Sequence, residues 1–168
     1  MAAMSGRPTK RILVGLDGSA GSAAALDKAI ELARALDAEV VAAHVFELPY
    51  PSLAPVAGGA PMGVAGDVQS VEDSMRRTVK QEFDTTWCAP LRDAGVRHRE
   101  LFGDGRAGPM LQQTVDEEDV DLIVVGRRGR SALVELLAGS VSQYLVHRAG
   151  RPVLVTADPA PRKDRPTR

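Results

Sequence analysis

The sequence predicts an α/β domain in which helices cover both faces of a parallel sheet. Five short strand-like stretches alternate with helical patterns along the chain. Most of these stretches are continuously apolar rather than alternating, which is typical of parallel strands buried on both faces. The length of 168 residues suits one domain. Since 44% of the residues are hydrophobic but only 4% are aromatic, the predicted core is aliphatic.

The predicted strands are separated by connections long enough for crossover helices. They occupy residues 12–16, 40–46, 96–101, 120–125 and 152–156. A β-α-β alternation of this kind implies right-handed crossovers. We expect a flavodoxin-like strand order of 3-2-1-4-5, which places strands one and four side by side where the order reverses. The third strand carries four polar residues in a row, which suits a sheet edge. The domain is predicted to span residues 10–157, between flexible tails at 1–9 and 158–168.

Helical periodicity predicts four helices between these strands. Ser19 or Ser22 is expected to cap the first helix, and Pro90 should end or kink the second. The third should stop before the acidic run 116–119, because acidic side chains are unfavourable at a helix C-terminus. Gly150 should end the fourth. In the second helix, apolar residues recur every four positions and are predicted to pack in the core: Val71, Met75, Val79, Phe83 and Trp87.

Several features are interpreted as structural. His44 lies in an apolar stretch and is predicted to be a core histidine, and Cys88 is predicted to be a packed thiol. Residues 103–105 are expected to form a turn. The segment 47–67 is rich in proline and glycine. Because it is long for an ordinary connection, it is interpreted either as a lid over a site or as a mobile loop.

A glycine-rich segment follows the fourth predicted strand. It has the pattern Gly126-x2-Gly129-x9-Gly139-Ser140 and then runs into a helical pattern. Glycine lacks a Cβ atom, so main-chain N–H groups can closely approach a ligand. Phosphates bind such N–H groups at helix N-termini. By spacing alone, turn glycines with Ser140 as an ordinary helix cap remain the alternative. Further polar groups in the segment are Arg127, Arg128, Arg130 and Ser142.

Asp17 follows the first predicted strand. The strand order would make it face the same crevice as the glycine-rich segment. A carboxylate there can accept a hydrogen bond from a ribose hydroxyl or hold Mg²⁺ beside phosphates. An ordinary turn aspartate is the alternative.

The glycine-rich segment and the Val-Gly-x-Asp-Gly-Ser turn at 14–19 together resemble the universal stress protein family, in particular its ATP-binding branch. The resemblance extends from about residue 11 to residue 156. It implies a flavodoxin-like (HUP-type) open sheet that binds ATP, or ADP or AMP. It also implies that Gly15 and Asp17 contact the nucleotide and that the main chain of Val45 contacts the adenine. The groups implied to hold ribose and phosphates are Gly126, Gly129, Gly139, Ser140, Val141 and Ser142. Mg²⁺ is expected from the carboxylate of Asp17, and Arg127 and Arg130 are expected at the site from their charge, at positions that vary in the family.

Other nucleotide-site motifs do not occur. The glycines at 15, 18 and 21 do not form the dinucleotide fingerprint, and the chain has no P-loop lysine motif. A net charge of −1 gives no argument for nucleic acid or an anionic membrane as partner. The single cysteine suits a reducing compartment, and no apolar run reaches the length of a membrane span. We therefore expect a cytoplasmic protein.

Three functions are compatible with these observations. The first is an ATP-binding regulatory protein of the universal stress type, with slow hydrolysis at most. The second is a weak ATPase or autokinase that uses Asp17 and a metal ion. The third is a nucleotide-free dimeric interaction protein.

The last strand predicts a homodimer. Val153, Leu154 and Val155 form an apolar edge that would expose unpaired main-chain groups. Pairing with a second copy about a two-fold axis would satisfy them, and the family resemblance implies the same arrangement. A monomer whose edge is covered by the C-terminal tail is the alternative.

Overall fold

A computed structural model describes residues 10–47, 64–127 and 139–157, with side chains from residue 69 onward in the second of these ranges. The predicted tails, Gly129, Arg130 and most of the 47–67 segment lie outside the described residues. The last residues of that segment, from Val64, belong to a helix.

Five parallel strands form the sheet. They are β1 (Arg11–Gly15), β2 (Glu39–Phe46), β3 (His98–Asp104), β4 (Leu122–Gly126) and β5 (Val153–Thr156). Their order is β3-β2-β1-β4-β5, which confirms the predicted flavodoxin-like order 3-2-1-4-5. The helices are α1 (Ala20–Leu36), α2 (Val64–Glu82), α3 (Ala89–Ala94), α4 (Ala107–Glu117) and α5 (Ser140–Arg148). A π-helical segment, Phe83–Trp87, joins α2 to α3.

Each face of the sheet has its own core, and both cores are mainly aliphatic, although the one on the α1 face also holds aromatic rings. Because successive side chains of a strand point to opposite faces, Ile12 and Val14 pack with α1 and α3, whereas Leu13 packs with α4 and α5. The first core also includes the buried side chains of Phe83 and Cys88. Both layers are therefore fixed by the continuous apolar strands that the sequence shows.

The apolar ladder of the second helix is only partly buried. Phe83 is 0% exposed, but Val71 is 56% and Met75 42% exposed. The prediction of a fully packed ladder is therefore wrong. A spacing of four residues overshoots one helical turn by about 40°, so the ladder rotates by about 160° between Val71 and Trp87 and cannot face one core throughout. The helix does break before Pro90, which lies in the first turn of α3.

The third predicted helix extends further than expected. α4 includes Asp116 and Glu117, although the acidic run was expected to end it. Neighbouring cations offset the unfavourable charge: Arg99 lies 2.8 Å from Glu118, and Arg151 lies 3.2 Å from Asp119. The end of α4 is thus stabilised by residues that are distant in sequence.

β3 also runs past its predicted end. Gly103 and Asp104, predicted to lie in a turn, pair with Val45 and Phe46 of β2. The Asp104 carboxylate accepts two hydrogen bonds from Arg76 of α2, at 2.6 and 2.8 Å. The guanidinium lowers the pKa of Asp104. This contact ties α2 to the edge strand.

In the part of the chain that the structure describes, no helix is both long enough and apolar enough to cross a membrane.

Candidate nucleotide-binding site

The site predicted from the sequence lies at the carboxyl edge of the sheet, where β1 and β4 are neighbours. Gly15 ends β1 and Gly126 ends β4. The connections from these two strands leave toward opposite faces of the sheet, because α1 packs on one face and α5 on the other. In open α/β sheets, such a point of reversal forms a crevice in which ligands bind.

The turn from β1 into α1 is held together by its own polar side chains. Asp17 Oδ1 accepts hydrogen bonds from the main-chain N–H of Ser19 at 3.0 Å and from its hydroxyl at 2.6 Å. Ser19 caps α1, because its Oγ accepts a hydrogen bond from the N–H of Ser22 at 3.1 Å. The buried Ser22 hydroxyl in turn accepts a bond from the N–H of Asp17 at 3.3 Å. These bonds fix the carboxylate beside the positive end of α1.

Gly126 is required by packing. A Cβ atom at Gly126 would lie 2.6 Å from the carbonyl carbon and 2.7 Å from the carbonyl oxygen of Gly21. The end of β4 thus lies directly against the first turn of α1. The sequence predicted a glycine that admits a ligand at this position, and the structure shows a main-chain contact that needs the same residue. At Gly15, a Cβ atom would find ordinary contacts at 3.4 Å or more.

The N-terminus of α5 has no side-chain cap. Its N-cap residue is Gly139, with φ −72° and ψ 159°, so the alternative role of Ser140 as the cap is wrong. Ser140 is the first helical residue and is exposed, while Val141 is half-buried. An uncapped helix start leaves first-turn N–H groups for an anion. In this respect α5 differs from α1, whose first turn is closed by Ser19.

Ser142 and Arg127 anchor the start of α5 to the end of β4. The N–H of Gly139 donates to the main-chain oxygen of Arg127 at 2.7 Å. Ser142 is 3% exposed, and its hydroxyl lies 2.9 Å from the main-chain oxygen of Gly139 and 3.2 Å from that of Arg127. Its hydroxyl is therefore used within the protein, and what Ser142 offers toward the crevice is its main chain.

The main chain of Val45 points past the end of β1. Along β2, Glu39 donates its N–H to Lys10 and Ala43 accepts a bond from Leu16, so the odd-numbered residues face β1. Val45 has the same orientation, because main-chain groups alternate along a strand. The paired register of β1 with β2 ends at Gly15 and Ala43. Among the described residues, the N–H and C=O of Val45 have no main-chain partner on that side.

Within the described ranges, no group of three or more His, Cys, Asp or Glu residues could form a metal site. A Mg²⁺ ion near Asp17 would therefore need further oxygen ligands, which the phosphates of a nucleotide supply. Cys88 does not take part, since it is 0% exposed in the first core. Burial, and then the nearby Glu100 carboxylate, raise the pKa of its thiol to about 12.

Of the two caps predicted for α1, Ser19 is confirmed, but two contacts at this edge were not predicted. One is the bonding of Asp17 to Ser19 and Ser22, which joins the cap to the end of β1. The other is His44, whose Nδ1 lies 2.6 Å from the main-chain oxygen of Leu16. No spacing rule predicts that contact, because it depends on how the chain leaves β1.

A parallel sheet of order β3-β2-β1-β4-β5, with helices on both faces, defines the protein as an open α/β protein of the flavodoxin-like type. The chain belongs to the universal stress protein family, whose family model matches residues 8–157. Universal stress protein YxiE of Bacillus subtilis is 32% identical over 148 residues, which cover 86% of this chain and 97% of that protein.

Solved structures show the same fold. UspA from Lactobacillus plantarum has a TM-score of 0.69 at 19% identity, covering 87% of this chain and 96% of that one. An Arabidopsis thaliana family member with AMP bound has a TM-score of 0.55 at 18% identity, covering 92% and 97%. A universal stress protein in complex with cAMP has a TM-score of 0.55 at 22% identity, covering 90% and 98%.

Proposed function

We propose that this protein is a cytoplasmic regulatory protein that binds ATP in the crevice between the end of β1 and the start of α5. The observation that carries the proposal is the main chain of Val45. Its N–H and C=O lie beyond the end of β1, at the same edge of the sheet as the uncapped start of α5. A donor and an acceptor on one residue can pair with the edge of adenine, and a helix N-terminus suits phosphate.

The remaining site residues have complementary roles in this proposal. The N–H groups of Ser140, Val141 and Ser142 would face the phosphates, with Gly139 keeping the helix start open. Asp17 would accept a hydrogen bond from the ribose or bind Mg²⁺ that arrives with the phosphates. The half-buried Gly15 would line the crevice. Gly126, Arg127, Gly129 and Arg130 complete the set, with Gly126 supporting the crevice through its contact with Gly21.

Proteins of the same fold support an adenine nucleotide as the ligand. The Arabidopsis thaliana structure holds AMP and another universal stress protein structure holds cAMP. Both molecules share the adenosine part of ATP. The adenosine-binding half of the proposal therefore has more support than the choice of ATP over ADP or AMP.

A regulatory role with slow hydrolysis at most agrees with the state of Asp17. Two hydrogen bonds from Ser19 hold Oδ1 within the turn, and the chain has no P-loop lysine motif that would stabilise the charge of a transferred phosphoryl group. A bound ATP would then change the surface at the crevice, and a partner protein could recognise that change. If the protein were instead an ATPase or autokinase, tens of turnovers per minute should be measured and should disappear in Asp17→Ala.

We propose in addition that two copies pair through β5. This strand is one of the two sheet edges, and Leu154 is 37% exposed on it. Pro152 and Thr156 accept main-chain hydrogen bonds from the β4 side, so the main chain of Leu154 also faces β4 and that of Val153 and Val155 faces outward. Antiparallel pairing about a two-fold axis would satisfy the outward groups of Val153 and Val155.

Mass spectrometry and calorimetry test the proposed ligand. Protein isolated from cells is measured under native conditions and then denatured, so that any retained nucleotide is identified by its mass. Titration of the nucleotide-free protein with ATP, ADP and AMP follows. A saturable ATP titration supports the proposal. No released adenine nucleotide together with no heat of binding would instead identify a nucleotide-free interaction protein.

A further inference from the structure

His44 bonds the main-chain oxygen of Leu16, which in a regular β1–β2 ladder would accept a hydrogen bond from Val45. Its Nδ1 lies 2.6 Å from the main-chain oxygen of Leu16. A carbonyl oxygen only accepts hydrogen bonds, so Nδ1 carries the proton and the ring donates. Leu16 directly follows β1, and its own N–H donates to Ala43 at 2.8 Å.

In a regular parallel ladder, the next bond would run from the N–H of Val45 to the oxygen of Leu16. That bond is not formed, since the paired register ends at Gly15 and Ala43. The imidazole of His44 supplies the donor instead. The Leu16 oxygen is therefore satisfied without the N–H of Val45, which is left facing the crevice.

Aromatic packing holds the imidazole in this position. The ring of Trp87 meets it edge-on with centroids 5.0 Å apart, and the ring of Phe102 lies at 5.3 Å. Phe83 lies at 6.1 Å. These contacts restrict the ring, so the direction of its Nδ1–H bond is fixed before any ligand arrives. Such a donor is preorganised toward Leu16.

We propose that His44 is a positioning residue that keeps the main-chain N–H and C=O of Val45 available to the base of a bound nucleotide. That these two groups of Val45 are available follows from the protein's own hydrogen bonds. That they bind a nucleotide base rests on the proposed function. On this basis the histidine contributes to nucleotide affinity without contacting the nucleotide.

Two substitutions separate the donor from the ring. His44→Phe keeps an aromatic ring among Phe83, Trp87 and Phe102 but removes the donor. His44→Asn retains a donor near the position of Nδ1, although it is not aromatic. The control is Phe102→Leu, which removes one of the three aromatic neighbours of His44 but keeps the imidazole donor and its contacts with Trp87 and Phe83.

The first measurement is residue-resolved amide hydrogen exchange without nucleotide. In the wild type, the Val45 amide should exchange about 100-fold faster than that of Ala43, which lies within the ladder. In His44→Phe, the Leu16 oxygen should recruit the Val45 N–H, and the two amides should become similarly protected. His44→Asn and Phe102→Leu should keep the wild-type pattern. Protection of Val45 in the wild type, or an unchanged pattern in His44→Phe, overturns the proposal.

The second measurement is ATP affinity by calorimetry on variants that unfold at wild-type denaturant concentrations. His44→Phe should bind about tenfold more weakly, as expected for one lost hydrogen bond, and His44→Asn should restore most of the affinity. A loss of affinity with no change in Val45 exchange would assign His44 a packing role only and count against the proposal. If the wild type binds no nucleotide, the proposed function fails while the exchange measurement still decides the role of His44.

Discussion

Gly126 and Gly21 are in main-chain contact, and the contact joins the end of β4 to the first turn of α1. A Cβ atom at Gly126 would lie 2.6 Å from the carbonyl carbon of Gly21. Neither partner is a flexible side chain that could move aside. The glycine that opens the glycine-rich segment therefore fixes the two walls of the crevice relative to each other.

Gly126→Ala should consequently destabilise the fold. We expect the free energy of unfolding to fall by on the order of 2–3 kcal/mol, because the strand and helix must separate to admit the methyl group. Denaturation in urea measures the loss. The control is Gly103→Ala, where a Cβ atom would meet only the end of the Met110 side chain at 3.5 Å. Equal stabilities of the two variants would show that the contact at Gly126 relaxes without strain.

Gly139→Val should weaken ATP binding while leaving the fold intact. The backbone of Gly139 is extended, with φ −72° and ψ 159°, so valine can adopt it. Its side chain would occupy phosphate space and leave the first-turn N–H groups of α5 unused. We expect a loss of about 100-fold in affinity, measured by calorimetric titration. Val146→Ala, on the exposed side of α5, should bind ATP like the wild type. Unchanged affinity in Gly139→Val would mean that this glycine serves only the helix start.

The protein should prefer ATP to GTP, and the side chain of Val45 should not decide that preference. The 6-oxo group and N1–H of guanine reverse the acceptor and donor pattern of adenine, which would leave main-chain groups of Val45 unpaired. Titrations of wild type and Val45→Ala with both nucleotides test this. Equal ATP and GTP affinities in the wild type would remove the main chain of Val45 from the base-binding site.

Arg99→Gln should make the protein less stable at neutral pH but not in acid. A hydrogen bond from Arg99 lowers the pKa of Glu39 below its ordinary value of 4.5, and Arg11 adds to the effect. A carboxyl group whose pKa is lowered by folding stabilises the native state above its unfolded pKa. That contribution disappears as the pH falls through the folded pKa.

The difference in unfolding free energy between wild type and Arg99→Gln should therefore shrink as the pH falls below 4.5. Denaturation curves at several pH values measure it. The control is Arg97→Gln, whose partner Asp37 is 96% exposed, so this substitution should have little effect at any pH. A pH-independent difference for Arg99→Gln would show that it acts through packing and not through the charge of Glu39.

Leu154→Arg should convert the proposed dimer into a monomer. A cation at the centre of β5 would be buried without a partner in a two-fold strand pair. Light scattering gives the molar mass of wild type and variant. Leu36→Arg, which also replaces an apolar side chain exposed on the surface, should leave the mass unchanged. A monomeric wild type, or a dimeric Leu154→Arg, would exclude β5 as the interface.

The sheet could be predicted from the sequence because its signals are local. Continuous apolar strands and helical crossovers predict a parallel, doubly wound sheet. A serine at position 19, just before the helical pattern, predicts the start of α1. The exposure of Val71 and Met75 could not be predicted in the same way, because it depends on how the apolar ladder rotates around α2. Likewise, α4 continues through Asp116, and the two acidic residues that follow the helix, Glu118 and Asp119, pair with arginines from other elements.

The candidate site was predicted only in outline. The carboxyl ends of β1 and β4 were expected to meet, and they do. The reason for glycine at position 126 was missed, because it lies in a contact with Gly21 that is more than a hundred residues away in sequence. The hydrogen bond from His44 to Leu16 was missed because the histidine was considered only as a core side chain.

Because Cys88 is buried, the rate at which it is alkylated should report on ligand binding. Thiolates, not thiols, react with alkylating reagents, and a pKa of about 12 keeps this sulfur in the thiol form. Its alkylation at neutral pH must therefore wait until the first core opens. A ligand that binds only the closed state slows that opening by the factor by which it stabilises the fold. The rate of modification of a single natural cysteine should then rank candidate nucleotides without labels or an assay of activity.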